Sequence, residues 1–333
     1  MKKLYFILAL TVASFSVKAQ DFDIFLEAGA EDANTLLENY FTPVFQGFGY
    51  GLNGGWLNTA KPHKSLGFDL TITANLARVP DDDLFFTFNN ADYSAVQLRN
   101  GTSVELPTFF GPTTDPDLLP ELVVNQGTED EFRFTPPQGL DIEEQFRLNA
   151  VPVPMAQLGI GLFKNTELKI RWTPEVDLDG DGTFKLLGFG VLHDVKQWIP
   201  GLKLTPIDIS AFVGYTSMTS EFIIDDSDPS NIQQGVFDVN GLVIQGMVSK
   251  QFSILTLYGG VGFNSANTNF KLEGDYDREG LDLPTDPIDF EFSTSSPRLT
   301  AGLRLKLAIF TLHADYTLQE YNLITAGFGI SIR

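Results

Sequence analysis

The sequence predicts an all-β protein, an antiparallel transmembrane β-barrel of about 12 strands, within roughly 10 to 14, with a short N-terminal helical and glycine-rich plug. Three observations lead to this fold class. The chain opens with an export signal, later segments alternate apolar and polar residues with a period of two, and short and long connections alternate between these segments. We therefore divide the chain into a signal peptide (residues 1–19), a plug (residues 20–63) and an outer-membrane barrel (residues 64–333).

The start of the chain has the layout of a signal peptide. Lys2 and Lys3 form a positive n-region, residues 4–15 are mostly apolar, and Val17 and Ala19 stand at the two positions that a signal peptidase reads. We expect cleavage after Ala19 and export to the cell outer membrane. The sequence contains no cysteine, which excludes a lipidated N-terminal cysteine, disulfides and thiolate metal ligands.

The rest of the chain has no apolar run of the about 20 residues that a spanning helix needs. A closed barrel is the other structure that satisfies every backbone N–H and C=O in hydrocarbon, so it is the predicted route into the membrane. The formal net charge of −21 makes nucleic acid an unsuitable partner. The expected partners are outer-membrane lipid and lipopolysaccharide, and we expect no cofactor.

The C-terminal residues 321–333 show the clearest alternation. Ile324 and Phe328 share one face, and Thr325 and Ser331 share the other, as in a strand with one apolar and one polar side. Segments with the same pattern are residues 66–76, 167–172, 207–216, 255–263, 298–307 and 308–319, while residues 183–198 and 236–250 alternate less cleanly.

The connections between these segments fall into two classes, as in outer-membrane barrels with short turns on one side and longer loops on the other. A soluble β-sandwich is the alternative, because it also alternates, although its strands are usually shorter. Residues 80–150 are expected to combine an outer loop with one hairpin. Short connections are predicted near 164–166, 200–201, 250–251 and 307–308, and long acidic ones at 177–182, 225–235 and 273–289.

The plug has a pattern of its own. Residues 30–41 predict a short amphipathic helix that ends before Pro43, and residues 47–55 interleave glycines with aromatic residues. Glycine allows close backbone approach, so this segment is expected to pack inside the barrel lumen. A basic cluster is predicted either to fasten the plug to the base of the barrel or to face lipid phosphates, and it consists of Lys61, His63 and Lys64.

Two blocks of the sequence carry a resemblance to a known family. They are GFGYGLNGGWLNTAKPHKSLGFDLTITANLARVP at residues 47–80 and LLGFGVLHDVKQWIPGLKLTPIDISAFVGYT at residues 186–216. The chain resembles an uncharacterised family of outer-membrane β-barrel proteins from Bacteroidota over most of its length. Its architecture is more distantly similar to that of the long-chain fatty-acid transporter family. The resemblance implies a barrel with a hatch-like N-terminus and carries no ligand-binding motif with it.

Seven residues are candidates for lining the lumen or a ligand site, because they lie in the plug or on the polar face of a predicted strand. Catalysis by His313 would need a serine nucleophile beside it and Asp315 to orient it, and no serine stands out. We therefore predict that the protein is not an enzyme. The candidates are Phe48, Tyr50, Trp56, Arg298, Arg304, His313 and Asp315.

Asp177, Asp179 and Asp181 precede Gly182 in a D-x-D-x-D-G motif, the first half of a calcium loop. A calcium loop supplies a glutamate at its twelfth position, but Gly188 stands there. The motif therefore predicts either an acidic surface turn or a weak divalent-ion site.

These observations together predict a passive outer-membrane channel or transporter, with a hydrophobic small molecule as the candidate solute. The 29 phenylalanines support the apolar solute, since several are expected to face inward, among them Phe45, Phe48, Phe109, Phe110 and Phe212. A general porin lumen is instead polar and water-filled. The alternative is a structural or surface-interaction barrel that uses its acidic loops and has no transport role.

Overall fold

A computed structural model gives the fold of the chain. The predicted signal peptide lies outside the residues that the structure describes. The described residues are Leu26, 28–129, 131–177, 182–225, 227–228, 230–276 and 284–332.

The described part of the chain contains fifteen strands and two α-helices besides short 3-10 turns. Helix α1 spans Ala30–Leu52 and α2 spans Ile142–Phe146. Neither helix is long and apolar enough to cross a membrane. The strands are β1 Phe68–Arg78, β2 Phe85–Asn89, β3 Val96–Leu98, β4 Ser103–Pro107, β5 Leu122–Val124, β6 Phe132–Phe134, β7 Ala150–Gly161, β8 Thr166–Asp177, β9 Gly182–Asp194, β10 Asp208–Asp225, β11 Gln233–Phe252, β12 Leu255–Glu273, β13 Ile288–Leu307, β14 Phe310–Leu318 and β15 Leu323–Ile332.

Ten of these strands close into an antiparallel barrel in the order β1, β15, β14, β13, β12, β11, β10, β9, β8, β7. Strand β1 completes the ring, since Ala74 pairs with Ala326 of β15 on one side and with Pro154 of β7 on the other. Ten strands lie at the lower limit of the predicted range of roughly 10 to 14, and the central figure of about 12 is too high. Strands β11 and β13 are each 20 residues long, about twice what a spanning strand needs, so the same length of chain makes fewer strands.

Side chains alternate between the two faces of the barrel wall as the sequence predicts. On β1, Ile72 is 53% exposed and points outward, whereas Thr73 is buried inside. On β15, Phe328 is 47% exposed and Thr325 is fully buried. The outward residues of the ten strands are largely Leu, Ile, Val and Phe. A continuous apolar exterior of this extent marks a surface that another apolar phase covers.

The two ends of the barrel differ. At the end we call the short-turn end, strands are joined by residues 162–165, 195–207, 253–254 and 308–309. At the opposite, long-loop end, they are joined by residues 79–149, 178–181, 226–232, 274–287 and 319–322. Two predictions were wrong here. Strand β8 ends at Asp177 and β9 begins at Gly182, so the acidic connection between them is short, while the connection predicted as a short turn near 200–201 spans residues 195–207.

Residues 79–149, which we call the loop subdomain, form more than the single hairpin predicted. Strands β2 and β4 make one small sheet, and β3, β5 and β6 make another. The Asp32 carboxylate, at the start of α1, accepts hydrogen bonds from the backbone N–H groups of Ser94, Ala95 and Val96 and from the Ser94 hydroxyl, at 2.7–3.0 Å. Asp32 therefore fastens α1 to the loop subdomain.

Helix α1 lies against the inward face of the barrel and continues through Pro43, where it was predicted to end. A proline inside a helix removes one backbone hydrogen bond and costs about 3 kcal/mol, so packing must offset it. The offset comes from burial, since a Cβ added at Gly47 would lie 2.3 Å from a Val151 methyl group, and one at Gly51 would lie 2.4 Å from a Val153 methyl group. The glycines let the helix backbone touch β7.

The face assignment predicts opposite responses to substitution on neighbouring positions of β13. Leu303 is 45% exposed on the outer face, so Leu303→Arg would place a charge in the apolar band and cost about 2–4 kcal/mol near a bilayer midplane. Thr300→Ser, on the inner face, keeps the hydroxyl that meets Thr317 and is expected to be mild. Urea unfolding in lipid vesicles measures both. Equal tolerance at the two positions would contradict the assignment.

Candidate functional site

The interior of the barrel has an aromatic half toward the long-loop end. The ring of Phe45 on α1 lies 5.2–5.6 Å from the rings of Phe237, Phe270 and Phe290, which project from three neighbouring strands. All four side chains are buried. Ring pairs at such distances contribute beyond their buried area. This half of the interior is a hydrophobic core shared by the helix and the barrel wall.

The other half is polar and holds the segment that follows α1, residues 53–63, which we call the exit segment. Arg171 on β8 is completely buried and donates hydrogen bonds to the carbonyl oxygens of Leu52 and Gly54. Its guanidinium also donates to the Gln157 side chain at 3.1 Å and lies 3.6 Å from the centroid of the Trp56 ring. A cation at these carbonyls is favourable because the C-terminal end of a helix carries partial negative charge.

Other strands hold the exit segment in the same way. Arg298 on β13 donates to the Asn53 carbonyl oxygen at 2.7 Å, and the Asn53 side chain donates to the Ser265 carbonyl oxygen at 2.9 Å. On β7, the Gln157 amide donates to the Trp56 carbonyl oxygen at 3.1 Å. The backbone carbonyls of Asn53 and Trp56 thus find donors on different sides of the barrel, as buried backbone groups require.

Hydroxyl groups hold the segment further along. The backbone N–H of Ala60 donates to the Ser249 hydroxyl at 3.0 Å, and the Ser210 hydroxyl donates to the Ala60 carbonyl oxygen. Hydrogen bonds from the wall thus hold the exit segment at several points between the end of α1 and the short-turn end.

A buried charged cluster, the His63 cluster, terminates the exit segment. His63 Nδ1 lies 2.8 Å from Glu167 Oε2 and 3.5 Å from Asp69 Oδ1, and its backbone N–H donates to the same Glu167 oxygen at 2.8 Å. Lys169 Nζ lies 2.6 Å from Glu167 Oε1. All four side chains are at most 6% exposed. Breaking a buried ion pair leaves an uncompensated charge, so each member stabilises the position of the others.

The imidazole and two carboxylates of this cluster are also possible metal ligands. However, the ammonium group of Lys169, 2.6 Å from Glu167 and 3.9 Å from Asp69, supplies the positive charge that these carboxylates need. A cation of the protein thus already occupies the place beside Glu167, and we assign no metal to the cluster.

Glu167, His63 and Ser331 stand in the order of a nucleophilic triad, since His63 Nε2 lies 3.0 Å from Ser331 Oγ. Two observations favour fastening over catalysis. Ser331 is buried, with its hydroxyl also bonded by Lys306 Nζ at 3.0 Å, and Ser210 and Ser249 hold the neighbouring residues of the same segment. The Ser331 hydroxyl thus binds the exit segment in the same way as the Ser210 and Ser249 hydroxyls do.

A cavity of about 210 Å³ adjoins the cluster at the short-turn end. The exit segment and the ends of several strands form its walls. Its lining residues are polar or charged, and they are Thr59, Lys61, His63, Asp208, Gln251, Thr256, Arg304, Lys306 and Ser331.

The seven candidate residues lie inside the barrel but do not form one site. Phe48 packs on Phe237 in the aromatic half, and the Tyr50 hydroxyl donates to Glu320 near the long-loop end. Trp56 and Arg298 belong to the anchoring of the exit segment, and Arg304 lines the cavity. Asp315 accepts a hydrogen bond from Tyr258 at 2.8 Å, and His313 is buried opposite Arg304 in the β13–β14 register.

Of the three predicted metal ligands, Asp177 is an exposed residue at the end of β8. The other two, Asp179 and Asp181, lie outside the described residues.

At the long-loop end, Tyr321 joins the β14–β15 connection to the loop subdomain. Its hydroxyl donates to Asp83, and its ring stacks on that of Tyr50 at 5.5 Å. Burial, reinforced by the Asp83 carboxylate, raises the pKa of Tyr321 far above its ordinary value. The phenol therefore stays protonated and keeps its role as donor at any physiological pH.

Sequence reasoning found part of what holds the exit segment, since Arg298 was a lumen-lining candidate and fastening of the plug was one of the two roles predicted for the cluster that contains His63. It missed Glu167, Lys169 and Arg171, which lie in the alternating segment 167–172 but were given no anchoring role. Charges of both signs at alternate positions facing inward were the available signal, because buried charges need partners. The partners of Arg171 are the backbone carbonyls of Leu52 and Gly54, and these cannot be identified from the sequence because every residue has one.

Comparison with known proteins gives a family and a set of distant folds. The sequence matches a protein family over residues 1–332, described as "Family of unknown function (DUF6588)". No curated protein matches it. Similar solved structures include Ail, the attachment invasion locus protein of Yersinia pestis (10% identity, TM-score 0.28, 80% of this chain and 97% of that chain). Others are the translocator domain of the autotransporter NalP from Neisseria meningitidis (9%, 0.31, 91% and 98%) and OccK1 from Pseudomonas aeruginosa (8%, 0.13, 80% and 97%).

The anchoring role of Arg171 predicts a large loss of stability on substitution. Arg171→Met removes the donor for the carbonyls of Leu52 and Gly54, and hydrogen bonds to a charged group contribute about 1.5–3 kcal/mol each. We expect the folded barrel to unfold at clearly lower urea concentration. Arg78→Gln, at a half-exposed arginine of β1, is the matched control and should change stability by less than about 0.5 kcal/mol. Similar midpoints for both variants would contradict the role.

Proposed function

The chain belongs to the DUF6588 family of unknown function, and we propose that it is a plugged barrel of the outer membrane that acts as a passive channel. In this proposal residues 1–19 direct export, residues 20–63 are the plug and residues 64–333 are the barrel. The observation that carries it is the hydrogen bonding of the exit segment to inward-facing side chains of the wall, with Arg171 at its centre.

The membrane location in this proposal is supported by the two surfaces of the wall. Closure leaves no strand edge unpaired, which is the condition for strands in hydrocarbon. The outward residues are largely apolar, while charged residues such as Lys169 and Arg298 face inward and are buried. Lipid and lipopolysaccharide are the partners that such an exterior meets. The Bacteroidota source and the architectural likeness to fatty-acid transporters stay predictions from the sequence.

The channel role is supported by the way the plug is held. Its anchors in the polar half run from wall side chains to backbone groups of the exit segment, so releasing them breaks no hydrogen bond between wall strands. A segment held by such bonds can be displaced without breaking the wall strands. The aromatic half, around Phe45, supports a hydrophobic small molecule as solute, since displacing α1 would expose those rings to the lumen. The proposal includes no enzymatic activity, cofactor or nucleic-acid partner.

A second candidate function is supported by the loop subdomain. Residues 79–149 form two sheets at one end of the barrel, and Asp32 and Tyr321 tie them to the plug and to the β14–β15 connection. A folded structure of this kind suits a surface for interaction with other molecules. In that alternative the plug is a permanent core and no solute passes.

Ion conductance separates the two functions. The intact protein in a planar bilayer should conduct poorly, because α1 and the exit segment fill the lumen. The double variant Arg171→Gln, Arg298→Gln removes guanidinium anchors at Leu52, Asn53 and Gly54 and should increase the frequency of open events at least about tenfold, the effect of about 1.4 kcal/mol.

Two controls make this result decisive. Heat-modifiable gel migration shows that the barrel of each variant has assembled. Arg78→Gln removes an arginine that does not contact the plug and should leave conductance unchanged. An assembled double variant that stays as closed as the intact protein would favour the surface-interaction function over the channel.

A further inference from the structure

We propose that the cavity at the short-turn end is a binding site for a small anion that carries a carboxylate or phosphate group. The inference rests on the proposed channel. It specifies that a ligand which enters the barrel from this end carries a negatively charged group. The site is formed by the last residues of the exit segment and by the inward faces of the strands around it.

The charge of the lining is the first argument. Lys61, Arg304 and Lys306 line the cavity, against one acidic residue, Asp208. This concentration of positive charge stands in a chain whose formal net charge is −21. Walls of low dielectric focus the field of such a cleft and raise the local concentration of counter-ions.

The second argument is that two of these cations are held in place inside the barrel. Arg304 is only 8% exposed, and Lys306 Nζ donates to the backbone oxygen of Ser331 at 3.2 Å and to its hydroxyl at 3.0 Å. Side chains that are already held in place lose little conformational freedom on binding, so an anion in the cavity would meet both positive charges at low entropic cost.

The third argument is the chemistry of the remaining lining. Thr59, Gln251 and Thr256 add hydroxyl and amide donors around the cations. An arginine beside such donors suits the planar, bidentate recognition of carboxylates and phosphates. The volume of about 210 Å³ corresponds to several water molecules at about 30 Å³ each, so a small anion fits and a long acyl chain does not.

The site also lies next to the His63 cluster, since Ser331 contacts both His63 and Lys306. An anion that binds Lys306 would therefore lie two hydrogen bonds away from His63, through the Ser331 hydroxyl. This position would let the bound anion influence the fastening of the exit segment.

Isothermal titration of the full chain in detergent tests the site, with sodium phosphate and sodium acetate as separate probes in a low-chloride buffer. We expect binding of at least one probe to the intact protein. Lys61→Gln and Arg304→Gln should each weaken it about tenfold or more, as the loss of a charged hydrogen bond requires. Asp208→Asn should strengthen it, because it removes the acidic residue of the lining.

Lys203→Gln is the matched control, since Lys203 is an exposed lysine in the 195–207 connection at the same end and does not line the cavity. Its affinity should equal that of the intact protein. Lack of binding, or equal weakening by Lys203→Gln, would overturn the site. Magnesium chloride is the third probe and tests whether the cavity binds a cation instead. Magnesium binding that is abolished by Asp208→Asn would also overturn the anion site. Titration does not depend on conductance, so either proposal can fail while the other stands.

Discussion

The end of α1 inside the barrel is the constraint on which the rest of the structure depends. A helix that ends in a lumen presents carbonyl oxygens that water does not reach, and these must find donors on the wall. Arg171 and Arg298 supply them to Leu52, Gly54 and Asn53 from two well-separated strands. Once those contacts exist, the path of the exit segment, the burial of Trp56 and the position of His63 follow from them.

The same constraint explains the two halves of the interior. Along α1 the backbone is satisfied by the helix itself, so side chains such as Phe45 can pack as an apolar core. Beyond Leu52 the backbone has no such internal partners, and the wall becomes polar at that level, with Gln157, Ser249 and Ser210 in the positions that face it. The change in wall chemistry therefore follows the change from helix to extended chain.

The barrel was largely predictable, because alternation is a local property of the sequence. The faces of Ile72, Leu303 and Phe328 could be assigned without any partner strand being known. The extension of α1 through Pro43 could not be predicted from local preference. It depends on the close packing of Gly47 and Gly51 against Val151 and Val153, which lie about a hundred residues further along the chain. The anchoring role of Arg171 was hidden for a related reason, since its acceptors are backbone carbonyls that any residue possesses.

The attachment of Asp32 to the loop subdomain makes α1 a connection between the two ends of the barrel. The helix is 23 residues long, or about 35 Å, which is close to the thickness of the hydrocarbon core of a bilayer. Its first turn is tied to one rim of the barrel, and the segment after its last turn ends in the His63 cluster at the other rim. The helix and the exit segment therefore link the loop subdomain at one rim to the His63 cluster at the other through a single stretch of chain that does not run through the wall strands.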